Sequence, residues 1–131
     1  MNSLRKKIQA TKSTPEVALY SNGMIRIKGR SMISNITEFS RQFEAMVGSY
    51  LADPAEVTCV DFHLEYLNTN NLKFYVEILK KIETVLLKNK KLIINWYYEE
   101  GDEDIIEKGE YIASVLNVQY NFILMAGHDD D

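Results

Sequence analysis

Hydrophobic and polar positions along the chain follow two rhythms that take turns. Glu16 to Tyr20 (EVALY) and residues 24–28 (MIRIK) suit strands, and Ser21-Asn22-Gly23 between them tolerates the positive φ of a tight turn. The pair reads as a β-hairpin, opened by Thr14-Pro15 and ended by Gly29. Ile36, Phe39, Phe43, Met46, Val47, Tyr50 and Leu51, three and four apart, predict a first helix. Asn35 is its expected N-cap, Glu38 the matching residue of a capping box, and Asp53-Pro54 its stop. Alternation returns from Val57 to Leu67, with Val60, Phe62, Leu64 and Tyr66 on one face and Asp61, His63 and Glu65 on the other. After Asn68-Thr69-Asn70-Asn71, a second helical stripe runs through Leu72, Tyr75, Val76, Leu79, Ile82 and Leu86 to a C-cap at Asn89. Residues 92–98 (LIINWYY) read as a central buried strand. Ile105, Ile106, Tyr111, Ile112, Val115 and Leu116 mark a third helix, and residues 118–125 a last strand.

The order β-β-α-β-α-β-α-β predicts a single α/β domain: an N-terminal hairpin, then β-α-β units with right-handed crossovers, in a mixed sheet of about five strands packed with three helices. It spans residues 14–125, between an N-terminal extension, 1–13, and an acidic tail, 126–131. Loops after parallel strands open at the carboxyl edge of such a sheet. Residues 68–71 and the acidic residues 99–104 are therefore expected on one rim.

Composition removes whole classes of function. With 131 residues, 46% hydrophobic and 26% charged, the chain matches one ordinary globular domain. A net charge of -4 argues against a nucleic-acid partner, which would need a basic stripe. The one lysine cluster, Lys80, Lys81, Lys88, Lys90 and Lys91, reads as a helix C-terminus that favours cations. Cys59 is the only cysteine, placed as a small core residue in an apolar run. The basic N-terminus precedes no apolar stretch and no window suits a membrane span, so a cytoplasmic protein with no membrane partner is expected.

Candidate chemistry is sparse. Asp61, His63 and Glu65 share one strand face and are ordinary metal ligands, but a half-exposed strand produces the same alternation by default. The acids of residues 99–104 could hold magnesium, or simply offset the dipole of the helix they precede. Neither a nucleophile-base-acid set, a glycine-rich phosphate loop nor a paired-cysteine motif can be assembled, so a binding or regulatory module without a cofactor is the better reading. Thr69 has two readings. It is either a helix cap or a hydroxyl at a helix N-terminus, where a phosphate is well tolerated.

Four short stretches resemble the SiaC family of bacterial regulatory phosphoproteins: Tyr66-Leu67-Asn68-Thr69 after a strand, Thr14-Pro15-x-Val17, Ile27-Lys28-Gly29-Arg30-Ser31, and Trp96-Tyr97-Tyr98 before an acidic loop and Gly109. The resemblance implies a STAS-like domain acting as a small non-enzymatic switch. A Ser/Thr kinase of the histidine-kinase-like ATPase type would phosphorylate it, and a PPM-type phosphatase would restore it. The unphosphorylated form would bind and activate a diguanylate cyclase, favouring cyclic di-GMP synthesis and biofilm growth. The family's phosphoacceptor carries over to Thr69, with Tyr66, Leu67, Asn68, Asn70, Asn71 and Lys73 as the surrounding partner surface. Two departures stand out. Asn70 and Asn71 replace the family's usual serines, and Met32-Ile33-Ser34-Asn35 replaces its usual Pro-Glu step. The rival readings are a constitutive STAS-like scaffold in which Thr69 only caps, and a metal-assisted enzyme using Asp61, His63 and Glu65.

Overall fold

The computed structural model describes residues 2–125; the expected acidic tail lies outside them. Six strands form one sheet in the order in which they occur, β1 (Leu4–Ile8), β2 (Glu16–Tyr20), β3 (Met24–Ser31), β4 (Val57–Leu67), β5 (Lys91–Tyr98) and β6 (Gln119–Leu124). Three helices intervene, α1 (Thr37–Leu51), α2 (Leu72–Ile82) and α3 (Glu103–Ser114). β1, β2 and β3 are antiparallel neighbours, and β3 to β6 are parallel. The sixth strand is β1, inside the segment that the hydrophobic pattern leaves as an extension. Its exposed LRKK has no apolar alternation to announce it, and only Ile8 is buried.

Each parallel crossover steps one strand in the same direction, so right-handed connections place all three helices on one face. The contacts agree. From α1, Tyr50 Oη meets Thr58 Oγ1 at 2.6 Å; from α2, Tyr75 packs edge-on against Phe62; from α3, the Ile105 carbonyl accepts from Trp96 Nε1 at 2.9 Å. Thr58, Phe62 and Trp96 all point to that face, and Phe62 and Trp96 are register partners. The core fills the layer between, from Val17, Ile25 and Ile27 across to Ile94 and Ile112. Among the described residues, no helix covers the opposite sheet face. There Asp61 Oδ1 accepts from Asn95 Nδ2 and Asn95 Oδ1 accepts from Asn121 Nδ2, both at 2.9 Å.

The hairpin turn forms as expected, with Gly23 at φ 93° and its N–H donating to the Tyr20 carbonyl. A Cβ there would lie 2.5 Å from the Val57 carbonyl oxygen, so the position needs glycine for space as well as for φ. Gly29 does not end β3; at φ 126° it bends the strand, which continues to Ser31. The capping box of α1 does not form either. Asn35 Oδ1 accepts from Thr37 N in a local turn, while Glu38 pairs forward with Arg41 and Gln42. α2 hands over to a 3-10 turn (Glu83–Lys88), which ends at Asn89 in the left-handed conformation, and this change of phase leaves Leu86 exposed instead of in the core stripe.

Candidate functional site

Two local irregularities shape the carboxyl rim of the sheet. Opposite the Gly29 bend, the pairing steps from Gly29↔Leu64 to Arg30↔Tyr66, so Glu65 is an extra residue in β4. A bulge resets the alternation. Leu64 and Leu67 point into the core, whereas Tyr66, expected to face inward with Val60 and Phe62, is turned out and 40% exposed. The Lys108 ammonium of α3 lies 5.8 Å from the Tyr66 ring centroid while pairing with Asp104 at 2.7 Å.

The chain then makes a 3-10 turn (Thr69–Asn71) into α2, and its three asparagines have different tasks. Asn68 is the cap: extended at φ -68° and ψ 136°, it accepts from Asn70 N through its side chain at 2.7 Å and from Asn71 N through its carbonyl at 2.9 Å. Its own N–H donates to the Ser31 carbonyl at 2.7 Å, tying the loop to the end of β3. Asn71 turns inward and is 2% exposed. Its Oδ1 accepts from Ser31 Oγ and from Ile33 N, both at 2.9 Å, and its Nδ2 donates to the Ile33 carbonyl at 3.0 Å. With the single Ser31 proton given to Asn71, Tyr75 Oη is the donor in its 2.8 Å contact with Ser31 Oγ. Burial raises the Tyr75 pKa, which keeps that proton in place. Asn70 is exposed.

Thr69 is thus left over. Its hydroxyl is exposed and makes no hydrogen bond within the described residues. The amides of Asn70 and Asn71 are taken by Asn68, so the turn does not offer them outward as an anion cradle. Thr69 borders a groove whose walls are Leu72, Lys73, Val76 and Glu77 of α2 and Tyr111 of α3. Leu72, Val76 and Tyr111 are functional candidates that pattern reading assigned to the core. Tyr111, 52% exposed, stands out of phase with the buried Ile105, Gly109 and Ile112, and that helical phase is the signal that could have revealed it. Of the expected partner surface, Tyr66, Asn70 and Lys73 are exposed with Thr69 and Asn68 is half-buried, while the side chains of Leu67 and Asn71 are buried and hold the loop from beneath.

The acidic loop occupies the same rim but faces elsewhere. Asp102 caps α3 by accepting from Ile105 N at 3.2 Å, and Glu103 and Asp104 fill the first turn, where the dipole favours acids. Glu99 and Asp102 line a separate depression with Lys28, His63 and Glu65, not the Thr69 groove. The neighbouring charges at Thr69 are Lys73 and Glu77.

Asp61, His63 and Glu65 are not drawn together. Asp61 is buried in the polar ladder of the open face, with Cys59 Sγ 3.4 Å from its Oδ1. His63 stacks on Tyr97 with centroids 3.9 Å apart, and burial lowers its pKa against the opposing pull of Asp61. Glu65 sits in the bulge, exposed. Among the described residues no group of three or more His, Cys, Asp or Glu is placed to hold a metal ion. Cys59 is no better as a nucleophile: burial first, then the Asp61 charge, pushes its thiol up to about 12. Among the described residues no helix is long and apolar enough to cross a membrane.

Comparison with known proteins agrees with this architecture. The chain matches the model of the SiaC family regulatory phosphoproteins over residues 8–125. An uncharacterized protein of Pseudomonas aeruginosa is 29% identical over 124 residues, covering 94% of this chain and 96% of that one. The fold is that of the crystal structure of the diguanylate cyclase SiaD in complex with its activator SiaC from Pseudomonas aeruginosa, with a TM-score of 0.83 at 24% identity over 92% of this chain and 100% of that one. Apo-SiaC from the same organism superposes with a TM-score of 0.79 at 24% identity over 92% of this chain and 98% of that one.

Proposed function

Since the chain belongs to the SiaC family of regulatory phosphoproteins, we propose that it is a phosphorylation-controlled binding protein whose switch is Thr69 and whose target is a diguanylate cyclase. It acts in the cytoplasm and catalyses nothing itself. A Ser/Thr kinase of the histidine-kinase-like type modifies Thr69, and a PPM-type phosphatase reverses the step. The unphosphorylated protein binds the cyclase through Thr69, Tyr66, Asn68, Asn70 and Lys73, joined by Leu72, Val76 and Tyr111, and raises cyclic di-GMP synthesis. One observation carries this reading: Thr69 presents an uncommitted hydroxyl on a loop that Asn68 and Asn71 hold rigid, beside a groove with apolar walls. A Thr69 that served only as a cap would have its oxygen on a backbone amide, and Asn68 fills that place.

The switch follows from electrostatics. A phosphate adds roughly -1.5 to -2 charge at pH 7. At Thr69 it would stand over apolar Leu72, Val76 and Tyr111 and beside Glu77, with Lys73 its one cation in the groove. A partner that covers the groove must desolvate that charge, a cost of several kcal/mol. About 3 kcal/mol separates the two forms by more than a hundredfold in affinity. The test is calorimetric titration of the host's diguanylate cyclases with Thr69→Ala and Thr69→Asp, alongside cyclic di-GMP production. Thr69→Ala should bind and activate one of them, and Thr69→Asp should bind it at least tenfold more weakly. Equal affinities would end the switch reading. If neither protein binds a cyclase, the target is a different signalling protein.

A further inference from the structure

The two edges of the sheet are chemically opposite. β1 carries Arg5, Lys6 and Lys7 along its exposed length, the usual guard against strand pairing. β6 (QYNFIL) has no charge and no proline, and among the described residues nothing pairs with its outer side. Phe122 and Leu124 are 39% and 53% exposed along it.

Backbone parity shows which groups that edge presents. Met125 N donates to the Tyr98 carbonyl, so odd-numbered residues turn their N–H and C=O towards β5. Tyr120, Phe122 and Leu124 therefore aim theirs outward. They also share the helix-side face, because their register partners are Ile94, Trp96 and Tyr98. From this we propose that β6 pairs with β6 of a second copy, antiparallel about a twofold axis through Asn121. In that register Tyr120 faces Phe122 of the partner copy and Phe122 faces its Tyr120, each a hydrogen-bonded pair with an aromatic contact on the helix side. Gln119 and Ile123 face each other on the open side, and Asn121 meets its own copy at a pair without backbone bonds. The edge is thus self-complementary: every outward donor and acceptor of Tyr120 and Phe122 meets its counterpart, and no like charges are opposed across the axis.

A second copy is a better occupant than an unrelated strand for that reason, and β1 is excluded as a mate for β1 by its three cations. The two sheets would join into one of twelve strands. Because β6 runs antiparallel to its mate, the two carboxyl rims point in opposite directions and both Thr69 grooves stay open. This arrangement does not depend on the cyclase reading, and its test reads oligomeric state alone.

Sedimentation velocity from micromolar to millimolar protein should show a monomer–dimer equilibrium. Added salt should strengthen it, since each copy carries a net charge of -4 and the contact itself is neutral. Phe122→Lys and, at the more exposed position, Leu124→Lys should each weaken association at least tenfold with unchanged far-UV circular dichroism. With Cys59→Ser as background, Asn121→Cys should form a disulfide-linked dimer under mild oxidation, and Leu87→Cys, on the turn after α2, should not. A wild-type protein that stays monomeric throughout, a dimer indifferent to both lysines, a dimer weakened by salt, or crosslinking no better at 121 than at 87 would each overturn the proposal.

Discussion

Asn71→Ala tests the claim that the loop beneath Thr69 is held by one buried side chain. The carboxamide makes three hydrogen bonds while only 2% exposed. Removing it does not orphan Ser31, whose hydroxyl keeps Tyr75 at 2.8 Å. It does strip the partners from both the N–H and the C=O of Ile33, a residue 7% exposed. A buried polar group left unpaired costs about 1–3 kcal/mol. Two such groups near a surface that can admit water place the loss at about 2–3 kcal/mol. At roughly 4 °C per kcal/mol for a chain of this size, the midpoint should fall by about 8–12 °C. Asn70→Ala is the control, because Asn70 is exposed and its side chain makes no hydrogen bond among the described residues. It should shift stability by less than about 0.5 kcal/mol. Asn71→Ser should fall between, since one short hydroxyl cannot serve both Ile33 groups. Urea unfolding with a constant slope is the assay. If Asn71→Ala loses less than about 1 kcal/mol, or no more than Asn70→Ala, the clamp is not what holds the loop.

Three further outcomes follow from named contacts. In Gly109→Ala the added Cβ would lie 2.5–2.7 Å from the indole of Trp96, itself fully buried and tied to the Ile105 carbonyl; overpacking outweighs the gain of about 1 kcal/mol in helix propensity, and thermal unfolding should show a net loss of about 2 kcal/mol with a changed near-UV tryptophan signal. Tyr111→Ala should weaken cyclase binding at least tenfold, about 1.4 kcal/mol, and leave the melting temperature nearly unchanged, as checked by calorimetry and a thermal scan. His63 stacks on Tyr97 of β5 and feels the charges of Asp61 on its own strand and of Arg26 and Lys28 on β3, with burial the largest influence on its lowered pKa. Its folded pKa lies below the unfolded value, so the unfolded chain takes up the proton first. Stability should fall as pH drops from about 6.5 towards the folded pKa and level off below it; His63→Gln should flatten that slope in denaturant midpoints between about pH 7.5 and 5.

Period and turn chemistry made most of the fold legible. The hairpin at Ser21-Asn22-Gly23, the three helices and the parallel strands after α1 stand where the alternation and the three-four spacing put them. What stayed hidden depends on pairing. β1 is visible only as a basic segment, because an exposed edge strand needs no apolar face. The bulge at Glu65 arises from the match between two distant strands, so alternation alone sent Tyr66 into the core. Tyr111 looked like core for a related reason: apolar character was counted without its helical phase.

The loop of residues 68–71 illustrates the same limit at finer scale. Four small polar residues in a row read as surplus capping capacity, and composition cannot say which of them is spare. Position decides it. Asn68 sits where the backbone is still extended, so its side chain can reach forward to the Asn70 amide; Asn71 falls at the start of α2 on the side facing β3, so its carboxamide enters the core; Asn70 and Thr69 face water. The two asparagines that do structural work are those flanking the exposed pair, and they hold it at both ends. Under the proposed function, a kinase or a partner would meet the Thr69 hydroxyl in a fixed position, with little loop entropy to lose on binding. On this account, loosening the loop should cost partner affinity even where Thr69 itself is untouched. Asn71→Ala, titrated with the cyclase at a temperature well below its melting transition, should bind more weakly than Asn70→Ala. Equal binding by the two would place the whole of Thr69's function in its groove and none in its support.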